Sequence, residues 1–198
     1  MQGKRSFHNS RQSDAYMTAP NPIDAIEEDH ALQLILCNVL ETVADGLPAE
    51  VDFKCLGILV PILRVGMPRQ MQFEDDVFFP MLRERASIVF RICEILEQLE
   101  SEHQADQDYA YELADELELL EQRRAPWNKE MLGYMLRGFF EGQRRHIECE
   151  NMIILPLARE VFRDSDLQRL HEPMTIDEFV LGGRLSLRTV LKVSNPTG

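Results

Sequence analysis

Residues 146–158 read HIECENMIILPLA, and residues 70–82 read QMQFEDDVFFPML. Aligned on Glu150 and Glu74, which stand 76 positions apart, the two stretches share more than apolar spacing. Six residues after each glutamate comes a proline, Pro156 or Pro80, and an apolar residue follows each proline. Four residues before each glutamate stands a side chain with ligand chemistry, His146 in the later copy and Gln70 in the earlier one. A second motif accompanies the first. Asp29-His30 lies 40 residues before Gln70, and Glu102-His103 lies 43 before His146. The chain therefore reads as two copies of one unit: a helix with an acid–His pair, then a helix with a ligand-type residue four before a Glu. The shared demands of two helical hairpins explain matched apolar spacing, but not a repeated Glu and Pro.

Residues at i and i+4 of a helix project from the same face, one turn apart. His146 and Glu150 form such a pair, as do Gln70 and Glu74. Asn21 and Pro22 cap and open a first helix that ends at Asp45-Gly46. Along it Ile23, Ile26, His30, Leu34 and Cys37 step by three or four, which puts His30 on the apolar stripe. A second helical stretch covers about 50–85, with a kink or break expected at Pro61, Gly66 and Pro68. A third helix is expected from a Ser87 cap to Arg123, with Ile88, Ile92, Ile95, Leu96, Leu99, His103, Ala110, Leu113, Leu117 and Leu120 as its core stripe. After a turn at Ala125-Pro126-Trp127, a fourth helix runs from about Trp127 to Phe162 and carries Met131, Met135, Phe139, His146, Glu150, Ile153 and Leu157. Asp164-Ser165-Asp166 caps a short helix ending near His171. Four long helices with short connections make an all-α, antiparallel up-down four-helix bundle the expected fold. The expected domain spans 22–171, between a disordered tail (1–21) and a C-terminal tail (172–198) with no assigned role.

The net charge of −13 over 198 residues argues against nucleic acid or an anionic membrane surface as a partner. No apolar run is long enough for a membrane span, and the first twenty residues lack a signal-peptide pattern. A cytoplasmic protein is expected. Cys37, Cys55, Cys93 and Cys149 are scattered, without C-x-x-C spacing, and read as reduced structural thiols. Met67, Met71, Met131, Met135 and Met152 read as core filler. Tyr109 and Tyr111 are candidates to bring a hydroxyl near the interior.

Facing each other, two such hairpins bring three histidines and two carboxylates to one interior spot. Imidazole plus carboxylate, with positions left for water or dioxygen, suits iron, and also manganese or zinc. A carboxylate from each of two helices can bridge two ions. A buried unpaired carboxylate costs several kcal/mol, and a dication supplies the neutralisation.

With these motifs in place the chain resembles the hemerythrin-like family, the HHE cation-binding domains. The resemblance rests on Asp29-His30, the Glu74 segment ending FFPML, Glu102-His103, and His146-x-x-x-Glu150 running into ILPLA, and covers roughly 22–171. It implies a four-helix bundle with a non-haem di-iron centre, which binds dioxygen, senses oxygen or nitric oxide, or handles iron. It assigns His30, His103 and His146 as imidazole ligands and Glu74 and Glu150 as bridging carboxylates. One position departs from the pattern: Gln70 stands where the family has His. An amide oxygen is a poor ligand for divalent iron beside imidazole. Gln70 then ligates weakly or through water, or one ion persists at His103, His146 and Glu150, or the centre is degenerate. The site set is thus His30, Gln70, Glu74, His103, His146 and Glu150, holding one or two iron ions. A ferritin-like reading competes, with Glu27-x-x-His30 and Glu100-x-x-His103 as ligand pairs, but it leaves His146 without a role. The expected partner is a small diatomic ligand such as O2 or NO, and an enzyme is the less favoured class. The alternatives are an apo interaction or regulatory module, which Gln70 motivates, and a di-iron oxidase or nitric oxide reductase, which needs a reductant.

Overall fold

The structure is a computed structural model that describes residues 21–49, 51, 53–89, 91–122 and 128–176. The expected all-α class holds: the described residues form helices and turns, with no strand among them. Helix α1 (Pro22–Gly46) opens as the cap predicts, the Asn21 side chain accepting the Ile23 N–H at 2.9 Å. The second rod is α2 (Phe53–Pro61), α3 (Met67–Phe73) and α4 (Phe79–Arg85), joined by π turns at Ile62–Gly66 and Glu74–Phe78. The third is α5 (Ile92–Glu121). The fourth is α6 (Lys129–Cys149) and α7 (Leu155–Val161), joined by a π turn at Glu150–Ile154. A shorter α8 (Asp164–Ile176) follows.

Of the kink or break expected at Pro61, Gly66 and Pro68, no break occurs: the chain stays helical from Phe53 to Arg85. Proline lacks an N–H, and its ring collides with the carbonyl four residues back. Here the helix stays continuous by widening. Each π turn ends just before an X-Pro pair, Met67-Pro68, Phe79-Pro80 or Leu155-Pro156, and the X residue donates its N–H five residues back, to Ile62, Glu74 or Glu150. The proline repeated in the sequence is therefore the cause of a π turn that starts at each candidate glutamate. Such insertions recur at functional sites because they re-aim side chains locally.

The third helix does not start at Ser87. It starts at Ile92, behind Arg91 with φ 61°, a left-handed conformation that stops the helix from extending backwards. Ile88, expected in the core stripe, is 96% exposed. Met131, Met152 and Ile153 are exposed too, while Met67 and Met71 are buried as expected. Asn128 caps α6, accepting the Met131 N–H at 3.0 Å. Tyr109 is half-buried and donates to the Met135 carbonyl, whereas Tyr111 is exposed. All four cysteines are free; Cys37 and Cys55 are buried, Cys93 and Cys149 half-buried. No described helix is long and apolar enough to cross a membrane. The expected tail 1–21 except its last residue Asn21, the turn at 125–127 and the segment beyond 176 lie outside the described residues. Helix α8 continues past the expected end near His171.

Side-chain pairs fix the rods in opposite register. Asp24 meets Arg159, Glu41 meets Arg144, and Asp45 meets Arg137. Arg64 meets Glu118, while Arg83 meets Glu100. Two apolar clusters form the core. One holds Leu36 to Ala44, Cys55 to Met71, Ala110 to Leu120 and Leu132 to Phe140; the other holds Ile23, Ile26, Phe78 to Ala86, Ile92 to Leu99 and Ile154 to Ala158. In every rod the candidate histidines and glutamates fall between the two clusters, so the polar layer is walled on both sides by dry side chains.

Asp166 ties α8 to this frame. Buried, it accepts two bonds from Arg85, at 3.0 and 2.8 Å, and the Arg163 N–H at 3.0 Å, which closes the start of α8. The Arg85 guanidinium holds the Asp166 carboxyl below the usual carboxylate range. Asp166→Ala is expected to destabilise the fold by about 2–3 kcal/mol, since it leaves charged donors unsatisfied. Urea unfolding monitored by circular dichroism checks this.

Candidate metal centre

The layer between the two clusters brings His30, Glu74, His103, His146 and Glu150 together, all essentially buried. Each glutamate reaches in two directions. Glu74 places Oε1 3.4 Å from His30 Nε2 and Oε2 3.5 Å from His103 Nε2. Glu150 places Oε2 3.1 Å from His30 Nε2 and Oε1 3.6 Å from His146 Nε2. The Nε2 atoms of His103 and His146 lie 2.9 Å apart. Two groups result, His103–His146–Glu150 and His30–Glu74–Glu150, with the ligand atoms of each within 4.8 Å of one another.

The outer nitrogens decide what the inner ones present. His103 Nδ1 lies 2.7 Å from Asp75 Oδ1, His146 Nδ1 3.0 Å from Glu102 Oε2, and His30 Nδ1 2.7 Å from Asn151 Oδ1. All three partners are acceptors, so each Nδ1 carries the proton and donates it. Neutral imidazoles then aim three Nε2 lone pairs at one another and at carboxylate oxygens. Acceptors facing acceptors repel unless a proton or a cation stands between them. Burial alone would lower the His30 pKa, but bonds to Glu150 and Glu74 outweigh it and raise it to about 11. His146 rises to about 9 against the same burial, through Glu150 and Glu102. His103 is also raised: burial opposes, while Asp75 and Glu74 prevail. Burial pushes Glu150 up, yet His146 and His30 hold its carboxyl well below the usual range. A proton shared among these groups does what a bound cation would do, separating acceptors that otherwise repel.

The donor geometry also fits a metal. Ligand atoms about 2.0–2.2 Å from one ion, at angles between octahedral and tetrahedral, lie about 2.8–3.6 Å from each other. The five contacts of the Nε2 atoms with glutamate oxygens and with each other, from 2.9 to 3.6 Å, fall within that window. Hydrogen-bonded backing of each imidazole is the arrangement that orients metal-binding histidines, and the Phe79 ring stacks on His103 at 5.6 Å to hold it further. Two clefts reach the centre from outside. One, about 610 Å³, has Glu102, Asp106, Arg145, His146 and Cys149 in its wall. The other, about 360 Å³, includes Gln72, Asp75 and His103.

Gln70 is adjacent but turned differently. Its Nε2 lies 3.3 Å from Glu74 Oε1, and its Oε1 accepts a bond from Gln33. Gln72 is exposed. Glu27 and Glu100, the extra ligands of the ferritin-like reading, pair with Arg159 and Arg83 instead, and the structure does not bring them to the centre. Sequence reasoning missed Asp75, Asn151 and the role of Glu102. A signal existed for two of them: Asp75 and Asn151 each directly follow a repeated glutamate, and each bonds the histidine of the opposite unit.

A helical bundle with a buried layer of histidines and glutamates between its rods defines a class of metal-binding bundle proteins. Residues 21–158 match the family model described as hemerythrin HHE cation binding domain, and the chain belongs to that family. No curated protein and no solved structure matches it.

Proposed function

We propose that this chain is a hemerythrin-like non-haem iron protein, with His30, Glu74, His103, His146 and Glu150 as ligands and a small diatomic molecule, O2 or NO, as what it binds or senses. Iron handling is the nearest variant of the same reading. The observation that carries it is the set of three Nε2 lone pairs, each fixed by a bond at Nδ1 and each aimed at acceptors. Bound iron would supply a redox-active ion with open positions for a diatomic ligand. The chain's own residues do the rest. Asp75, Glu102 and Asn151 hold the rings, Glu74 and Glu150 offer one oxygen to each side, and the apolar clusters exclude bulk water. Four free thiols suit a cytoplasmic setting.

Anaerobic reconstitution with ferrous iron is expected to load up to two ions per chain, one for each ligand group. Iron near zero after both anaerobic and aerobic loading rejects the proposal in favour of an apo module. A visible spectrum that changes reversibly with dioxygen supports a carrier or sensor; net consumption of dioxygen with a reductant points to an oxidase.

A further inference from the structure

The two halves of the centre are unequal. On one side stand His103 Nε2, His146 Nε2, Glu150 Oε1 and Glu74 Oε2, with both rings backed by carboxylates. On the other stand His30 Nε2, Glu74 Oε1 and Glu150 Oε2, and the ring is backed by a neutral amide. Gln70, itself 7% exposed, lies beside Glu74 on this side, with its Nε2 3.3 Å from Oε1. An ionised carboxylate only accepts, so the group that Gln70 turns to Glu74 is its NH2. Its carbonyl is thereby directed away, to the Gln33 side-chain amide at 2.5 Å.

We propose that Gln33 is a positioning residue: by occupying the Gln70 carbonyl, it makes Gln70 a hydrogen-bond donor beside the His30 position and keeps it from ligating. The inference rests on the metal-binding reading above. It gives the His30 position three protein donors and the weaker, exchangeable ion, while the His103–His146 position holds the tighter one. The role of Gln70 is then set from a helix away. The 3.3 Å from Gln70 Nε2 to Glu74 Oε1 is close to the 3.4 Å from His30 to the same oxygen. Turned over, the amide would present Oε1 in place of Nε2 beside Glu74 Oε1, the oxygen that also faces His30. Gln33→Glu does this turning, because a carboxylate cannot donate to Oε1 and instead accepts from the NH2.

Cobalt(II) added to the full-length, metal-free chain, followed by absorption and calorimetry, tests it. The native chain is expected to show two dissociation constants at least about 10-fold apart. Gln33→Glu is expected to tighten the weaker by about 10-fold and leave the tighter in place, within the range that hydrogen-bond partners of ligands exert. Gln33→Leu, which adds no charge, moves the weaker constant the same way by less, and serves should the charged variant fail to fold. In Gln33→Glu/Gln70→Leu the gain disappears. A weaker constant unmoved by both Gln33 variants overturns the proposal. So does a gain that survives in the double variant, since added charge would then be its cause. Two equal cobalt sites would also overturn it while leaving the metal-binding reading intact; no cobalt uptake by the native chain ends both.

Discussion

Glu150→Gln is expected to weaken metal binding at both positions by more than about 100-fold, beyond the usual effect of losing a hydrogen-bond partner of a ligand. Glu150 is common to both ligand groups, with one oxygen 3.1 Å from His30 Nε2 and the other 3.6 Å from His146 Nε2. An amide of the same shape keeps one acceptor but turns an NH2 at the other histidine, where it caps the lone pair that a metal needs. It also removes one of the two buried negative charges that favour dications. Metal-free Glu150→Gln should still fold, because an isosteric amide keeps the packing and the histidines that lose their carboxylate partner can release their protons rather than stay charged. His30→Ala is the contrast: it is expected to lose the ion at one side only. Metal content and cobalt affinity of the two variants measure the difference. Native stoichiometry in Glu150→Gln would contradict the shared-carboxylate geometry.

The repeat made the centre legible. The paired Glu and Pro, 76 positions apart, located the two glutamates, and the helical stepping put His30 and His103 inward. Hydrogen-bond spacing was not legible. Periodicity at 3.6 residues cannot tell a helix that breaks at proline from one that widens, so Pro61 to Pro68 read as a kink or break and the turns starting at Glu74 and Glu150 as regular helix. Ser87 was a plausible cap by residue type, but a cap needs the helix behind it, and Arg91 in the left-handed region moves the start to Ile92. Contacts between units were hidden for a different reason. Asp75 and Asn151 serve histidines 28 and 121 residues away, and only their place directly after a repeated glutamate sets them apart from solvated residues. Gln70 stands out in the sequence against the family resemblance, but its orientation depends on Gln33, 37 residues earlier.

Loading the centre is expected to raise the melting temperature by about 8–16 °C at free metal near a thousand times its dissociation constant. Binding to the native state alone is worth about 4 kcal/mol under that condition, and a chain of this size gains about 2–4 °C per kcal/mol. A chelator should reverse the gain. The size of the gain depends on pH, with a sign that the geometry sets. In the metal-free chain His30 is raised to about 11 and His146 to about 9 from an ordinary 6.5, because each proton sits among buried carboxylate oxygens. Groups raised on folding contribute stability that is complete below their unfolded pKa and is lost as pH climbs through the folded value. Metal-free stability should therefore fall across pH 6.5 to 9 through both histidines, whose protons the folded chain keeps and the unfolded chain releases, and from 9 toward 11 through His30 alone. In the loaded chain a dication stands where those protons stood, so this part of the decline should vanish. Metal must also displace fewer protons as pH rises. Both effects widen the gap between loaded and metal-free melting curves with increasing pH. Parallel curves from pH 6 to 9 would mean that the ion does not replace the histidine protons, and that it binds elsewhere on this acidic chain.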